Sequence, residues 1–280
     1  MGSGRKGVTR KSASSHPQTT MGGRIKDLMR RLRSDDYLTR NRAVRSIRFL
    51  NLKEAPPKLI EELVRGLRDR DEEFSSDCAE ALGIFGGNVG NQALLRELKK
   101  GRITHGLVYG IGEAKLIEAV PLLGEHLLKV RPGYDLYSST ATVLGNLGDH
   151  RAFIFLVKAL QNSRRSRDYP KVYVCGAIEK IVSKPENVKK LVEEMSPRTK
   201  SMVAKELIEA VLHPVIWSPM GSAPESSKES LLKTLHILGF KTEGMSELEL
   251  YNNLERQLGV EQKGPSAPKS GRKLLPWKTG

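Results

Sequence analysis

Aromatic residues are scarce in this chain, with two Trp, seven Tyr and six Phe in 280 residues. The apolar content is Leu, Ile, Val and Ala instead, which suits helix packing better than a β-sandwich built on Val, Thr, Tyr and Phe. No run of about 18 apolar residues occurs, so no membrane-spanning helix is expected. The opening stretch MGSGRKGVTRKSASS carries charge and no apolar segment, unlike a secretory signal. Gly2 invites a myristoylation reading, but that pattern wants Ser or Thr where Lys6 stands. Cysteine is nearly absent. Cys78 and Cys175 lie far apart, each beside Ala or Gly in a helical pattern, and read as small core residues rather than a disulfide or redox pair. The compartment expected is a reducing cytoplasm.

Chemistry-bearing motifs are missing too. There is no phosphate loop, dinucleotide fingerprint, zinc-cysteine pattern or nucleophile elbow. The glycine-rich stretch GIFGGNVG from Gly83 has no Lys-Ser or Lys-Thr ending and reads as a loose turn between helices. No catalytic residue, metal ligand or cofactor site is indicated, and the chain is expected not to be an enzyme.

What is present in excess is basic charge, +15 in all, and it comes in blocks. The net charge is +10 over residues 1–50, −3 over 51–150, +7 over 151–200, −3 over 201–260 and +4 over the last twenty. Such a pattern steers a protein toward polyanions, or serves solubility alone. Arg42, Arg45 and Arg48 recur at intervals of three along one helix. Arg164, Arg165 and Arg167 cluster in a loop, with Lys171 close behind. These seven are the candidate partner- or phosphate-binding residues, because guanidinium groups grip phosphates bidentately.

The chain also repeats itself. Small–apolar helical segments read AVRSIRFL from Ala43, CAEALGIFG from Cys78, LVYGIGEA from Leu107, TATVLGNLGD from Thr140 and CGAIEKIV from Cys175. With Ile47, Leu82, Tyr109, Leu144 and Ile178 taken as equivalent, the steps are 35, 27, 35 and 34 residues. A sixth unit, MVAKELIEAVL, follows from Met202. Each segment follows another amphipathic run, as in LIEELVRGL, where Leu59, Leu63 and Leu67 mark one buried face. Asp69 and Asp71 punctuate one turn, Gly86 and Gly87 another, and Gly148 with Asp149 a third. Pro121 sits where a helix begins. A helix pair this short cannot bury its apolar stripe alone, so stacking is required. The fold class expected is all-α, an α-solenoid of about six helix pairs. Ala43, Ala79, Gly110, Ala141, Gly145 and Ala177 let neighbouring helices approach.

The stretches VLGNLGDHRAFIFLVKAL and YGIGEAKLIEAVPLL resemble the short HEAT-like repeat, in which a small–apolar helix and a Gly–Asp turn lead into a second helix. The resemblance covers about residues 24–215 and is similar to the phycobilisome-lyase type. It implies a two-layer superhelix and says little about function. In that lyase group the repeats help attach a bilin, for which Tyr109, Glu113, Tyr134, Asp135 and Tyr137 are the residues available here. Another HEAT-like family, deoxyhypusine hydroxylase, holds iron with His-Glu pairs, and no His-Glu pair occurs in this chain. The HEAT-like DNA glycosylases need an aromatic cradle, for which Trp217 alone is at hand.

The domains expected are a disordered basic arm over 1–22, the HEAT-like solenoid over 23–215, a Pro- and Ser-rich linker over 216–226, a helical hairpin over 227–260 and a basic tail over 261–280. The hairpin faintly resembles the SAP-type DNA-binding module, though its acidic balance fits a cap better. Within the tail, Leu274, Leu275 and Trp277 form a possible docking motif. The function expected is a non-catalytic scaffold gripping a macromolecular partner, another protein, on its concave face. The alternative is nucleic-acid or ribonucleoprotein binding through the Arg clusters and basic tails, and a lyase- or glycosylase-type enzyme ranks behind both.

Overall fold

The computed structural model describes residues 20–47, 49–50, 55–132, 134–162 and 170–212, together with 232, 234–236, 238–240 and 249, except for the side chains of 170, 171 and 208–212. Among the described residues there are helices and no strand. The chain divides into two compact units, residues 1–114 and 115–280.

The first unit holds three helix pairs: α1 (Met21–Leu32) with α2 (Tyr37–Ile47), α3 (Pro57–Gly66) with α4 (Glu72–Phe85), and α5 (Gly87–Lys99) with α6 (His105–Glu113). Two layers result. First helices α1, α3 and α5 neighbour one another, as do second helices α2, α4 and α6. The caps are those the sequence offers. Asp71 Oδ1 accepts from the backbone N–H groups of Glu73 and Phe74 at 3.0 and 3.1 Å. Asp36 accepts from Thr39 N–H at 2.9 Å. The Thr39 hydroxyl is the main reason its carboxyl lies below the usual range. Thr104 caps α6 through Leu107 N–H.

Between the layers lie fully buried Ile47, Leu59, Leu63, Leu82, Leu94 and Ile111. Tyr109 is not among them. It is 44% exposed, and Ile111 takes the core position in α6. The equivalence drawn at Tyr109 is therefore two residues early. An aromatic ring at that position faces solvent, and the apolar Ile111 two residues on fills the core. The glycine-rich stretch also differs from expectation. Helix α4 runs through Phe85 and α5 begins at Gly87, so Gly86 alone separates them. A Cβ on Gly86 would meet Leu82 O at 2.4 Å and Gly90 Cα at 2.7 Å, so this corner closes only with glycine.

An ion-pair motif recurs at the repeat length. Arg33 and Arg65 clasp buried Glu62, and 35 residues on Arg68 and Lys100 clasp Glu97. The two carboxylates are nearly buried, while their four cationic partners are more than half exposed. The clasp thus tethers each first helix to the next while keeping its positive ends in water, a geometry that relieves the carboxylate's desolvation cost.

The second unit opens with a 3₁₀ turn (Ile117–Ala119) and holds α7 (Val120–Lys129), α8 (Asp135–Leu147), α9 (Ala152–Asn162), α10 (Pro170–Val182), α11 (Pro185–Glu194) and α12 (Pro197–Leu212). Helices α7 and α9 pack side by side, as do α8 and α10. Gly145 lets α8 touch α10, since a Cβ there would lie 2.6 Å from Ala177 Cα. Gly148 closes α8 in the left-handed conformation at φ 62°. Its carbonyl accepts from Asn187 Nδ2 at 2.9 Å. Arg151 reaches back one repeat to the Ile117 carbonyl at 3.2 Å while pairing with Asp149 at 2.9 Å. Burial pushes the Asp149 carboxyl up, and the Arg151 bonds outweigh it, leaving it below the usual range. The last pair departs from this layering, because α11 lies on α10 and α12 on α9.

Lys115, the first residue of the second unit, has φ 52°. It stands 33 residues before Gly148 and fills the same left-handed place after a helix. An L side chain there costs about 1–2 kcal/mol, partly offset by the unfolded-state entropy that a lysine saves over glycine. Lys115→Gly is expected to stabilise the chain by about 0.5–1 kcal/mol. A thermal melt that moves downward would contradict this.

Arm residues 1–19, the 216–226 linker and the 261–280 tail lie outside the described residues, as does nearly all of the 227–260 hairpin. Helix α1 starts at Met21, two residues inside the expected arm.

Candidate partner-binding face

Helices α2, α4 and α6 bury one side against the first helices and turn the other to solvent. On α4 that solvent side carries Glu73, Asp77, Glu80 and Ile84, spaced as one helical stripe. On α6 it carries His105, Tyr109 and Glu113. On α2 it carries Leu38, Arg42 and Arg45, all exposed.

The seams between these helices are of two kinds. Between α4 and α6 the backbones touch. A Cβ on Gly110 would lie 2.3 Å from Ala79 O, and one on Gly83 would lie 2.5 Å from Gly110 Cα. Gly106 N–H donates to Ser76 Oγ at 2.7 Å. Between α2 and α4 the seam is polar. Arg45 Nε donates to Asp77 Oδ2 at 2.7 Å, and its Nη2 donates to Glu73. The Asp77 bond, followed by the Glu73 bond, raises the Arg45 pKa. Asn41, 4% exposed, donates from Nδ2 to Glu73 Oε2 at 3.2 Å, and its buried Oδ1 meets no donor among the described residues. Arg40 reaches α4 as well, and stands 3.7 Å from Asp69. It lies over the Phe74 ring and donates to the carbonyls of Ser34 and Asp35.

The members of the first-repeat Arg cluster differ in their surroundings. Arg45 is held between two carboxylates, Arg42 is exposed, and Arg48 lies outside the described residues. Arg164, Arg165 and Arg167 also lie outside them, as do the Lys171 side chain and Leu274, Leu275 and Trp277. Sequence periodicity placed three arginines on one helix but could not show acids on the neighbouring repeat, 28 and 32 residues away, meeting Arg45.

Of the residues considered for a bilin groove, Tyr137 is fully buried and donates from its hydroxyl to Ala159 O at 3.0 Å, so it packs as core. Tyr109 and Tyr134 are exposed. Cys78 is buried against Gly66, and desolvation pushes its thiol well above the ordinary range. Cys175 is buried too. Among the described residues, no group of three His, Cys, Asp or Glu is placed to hold a metal ion, and no helix is long and apolar enough to cross a membrane. His126 is half-buried with its Nε2 unpartnered among the described residues, and burial, then Lys129, lowers its pKa.

The helix pairs, recurring at about the repeat length and layered within each unit, define an all-α helical-repeat fold, the architecture that the resemblance to HEAT-like repeats implies. No protein-family profile matches the chain, and no curated protein matches it in sequence. Among solved structures it is similar to the complex of CpcE and CpcF of phycocyanin lyase from Nostoc sp. PCC7120, at 18% identity and a TM-score of 0.47, over 90% of this chain and 99% of that one. That finding corrects the expectation that the chain is not an enzyme. A helical stack does not by itself imply the absence of catalysis.

Proposed function

We propose that this chain binds a macromolecular partner, another protein, on the solvent face of α4 and α6 in its first unit. The observation that carries this reading is the pair Ile84 and Tyr109, 43% and 44% exposed. They are chain neighbours of Gly83 and Gly110, whose backbones touch, so they flank one spot on a firm, close-packed support. A rigid platform with an apolar centre and a charged surround is the anatomy of a protein interface. Nucleic-acid binding finds less support, because the one arginine of the candidate set with described ion pairs is already neutralised by Glu73 and Asp77.

The test is a photo-crosslinking residue placed at Tyr109 in the cell, compared with one at Val89. Val89 is 56% exposed on α5, in the other helix layer. Adducts to a discrete protein are expected at Tyr109 and not at Val89. Equal labelling at both, or none at Tyr109, removes the reading.

A further inference from the structure

We infer that the turns after α3 and α5 form a binding site for a dianionic phosphate group, free or as a monoester, gripped by Arg68, Lys100 and Arg102. The inference is independent of the α4–α6 face. The two ion-pair clasps of the first unit share a pattern and differ in how far they close. In the first, Arg33 donates to Glu62 Oε1 and Arg65 to Oε2, so both carboxylate oxygens and both arginines are engaged. In the second, Lys100 Nζ donates to Glu97 Oε1 at 2.8 Å. Arg68 approaches that same oxygen only to 3.6 Å, beyond hydrogen-bond reach. Arg68 is thus attracted to Glu97 while its N–H donors stay available, and its side chain is 63% exposed. A third cation joins this clasp. Arg102 Nη2 donates to the Asp69 carbonyl at 2.9 Å, next in the chain to Arg68. It has no counterpart 35 residues earlier, where Leu67 is buried.

Three cations therefore gather around one nearly buried carboxylate, an excess of two positive charges. A phosphate monoester carries about −1.5 to −2 at neutral pH, which matches that excess. Arg102 is held by a neutral carbonyl, so its position is set while its charge stays uncompensated. Guanidinium N–H groups in this state are the donors that phosphate oxygens take in pairs. The other acids of the two turns leave the balance positive. Over residues 68–72 and 96–102 six Lys and Arg stand against four acids. Of these acids, Asp69 accepts from Asp71 N–H and lies 3.7 Å from Arg40, and Asp71 caps α4. Glu72 is exposed on the first turn of α4. The attraction of a helix C-terminus for cations accounts for Lys99 and Lys100 at the end of α5. It does not account for Arg68, which comes from another repeat, or for Arg102, which lies past that end. The approach is open, because a Cβ on Gly101, between Lys100 and Arg102, would meet nothing within 4 Å.

The test is a heteronuclear NMR titration of the full chain at neutral pH and constant ionic strength, following the backbone amides of Gly101 and Arg102. The probes are inorganic phosphate, the amide of N-acetyl-phosphoserine, and dimethyl phosphate, with chloride as the blank. Saturable shifts are expected with the first two probes, and binding about fivefold or more weaker with dimethyl phosphate, a diester of single charge. Arg68→Gln and Arg102→Gln are each expected to weaken phosphate binding by about fivefold or more. Arg102 is exposed and bonded only to a carbonyl among the described residues, so its variant keeps the test informative if Arg68→Gln does not fold. Arg30→Gln is the control, since Arg30 is 82% exposed on α1 and paired with Asp27, and a change of less than about twofold is expected there. The tighter of the two phosphate probes tells a free ion from a side-chain ester, and either result supports the site. Shifts that do not saturate, or that chloride reproduces, overturn the inference. So does equal binding of dimethyl phosphate, or indifference to both the Arg68 and the Arg102 variant.

Discussion

Gly106→Ala is expected to destabilise the first unit by about 3 kcal/mol or more, and Gly110→Ala by a similar amount, in urea unfolding. A Cβ on Gly106 would lie 1.9 Å from Ser76 O, and one on Gly110 would lie 2.3 Å from Ala79 O. Both obstacles are backbone of α4, which cannot rotate aside as a side chain would. Either methyl forces the helices apart, and Gly106→Ala also strains the 2.7 Å bond from Gly106 N–H to Ser76 Oγ. Against this, alanine favours a helix over glycine by only about 0.5–1 kcal/mol. The steric loss wins by a factor of several. Gly176→Ala is the control. It is also a helical glycine, but a Cβ there meets nothing within 4 Å, so the propensity gain remains and the substitution is expected to be neutral or slightly stabilising. If Gly106→Ala and Gly176→Ala proved alike, the close approach of α4 and α6 would not be a feature of the folded chain.

These same residues show how much the sequence reveals. The repeat, the two helices per repeat, Gly110 and Gly145 as packing positions, and the turns at Asp71 and Gly148 are all legible, because each rests on local periodicity or on one residue's backbone preference. What is not legible depends on residues about thirty positions apart. Arg45 looks available for phosphate until Glu73 and Asp77 arrive from the next repeat. Tyr109 looks like core in a purely apolar pattern, and the structure turns it outward. Only the packing of α6 beside α4 brings Ile84 and Tyr109 to neighbouring positions. The sequence holds one further signal of register. Arg33, Glu62 and Arg65 recur as Arg68, Glu97 and Lys100 at a uniform offset of 35, which fixes the register of the first two steps without any apolar residue.

In the second unit the largest loss is expected at Tyr137, where Tyr137→Ala should cost about 3–5 kcal/mol and Tyr137→Phe about 1 kcal/mol. The side chain is fully buried in α8 and donates from its hydroxyl to Ala159 O in α9, 22 residues on, at 3.0 Å. Truncation to alanine removes a whole ring from a core shared with Phe153 and Leu156, which are themselves fully buried. The cavity that results is too large for the surrounding helices to close. The phenylalanine variant keeps the ring and loses one hydrogen bond to a carbonyl, so its cost is that of a single neutral bond. The ratio between the two variants carries the meaning. A groove-lining tyrosine, as a pigment site would require, would show a small stability loss for both, because its ring would already be in water. A large alanine effect with a small phenylalanine effect instead identifies a packing residue. Near-equal losses for the two variants would instead place the residue's weight in the hydroxyl, and the assignment of Tyr137 to the core would then have to be given up.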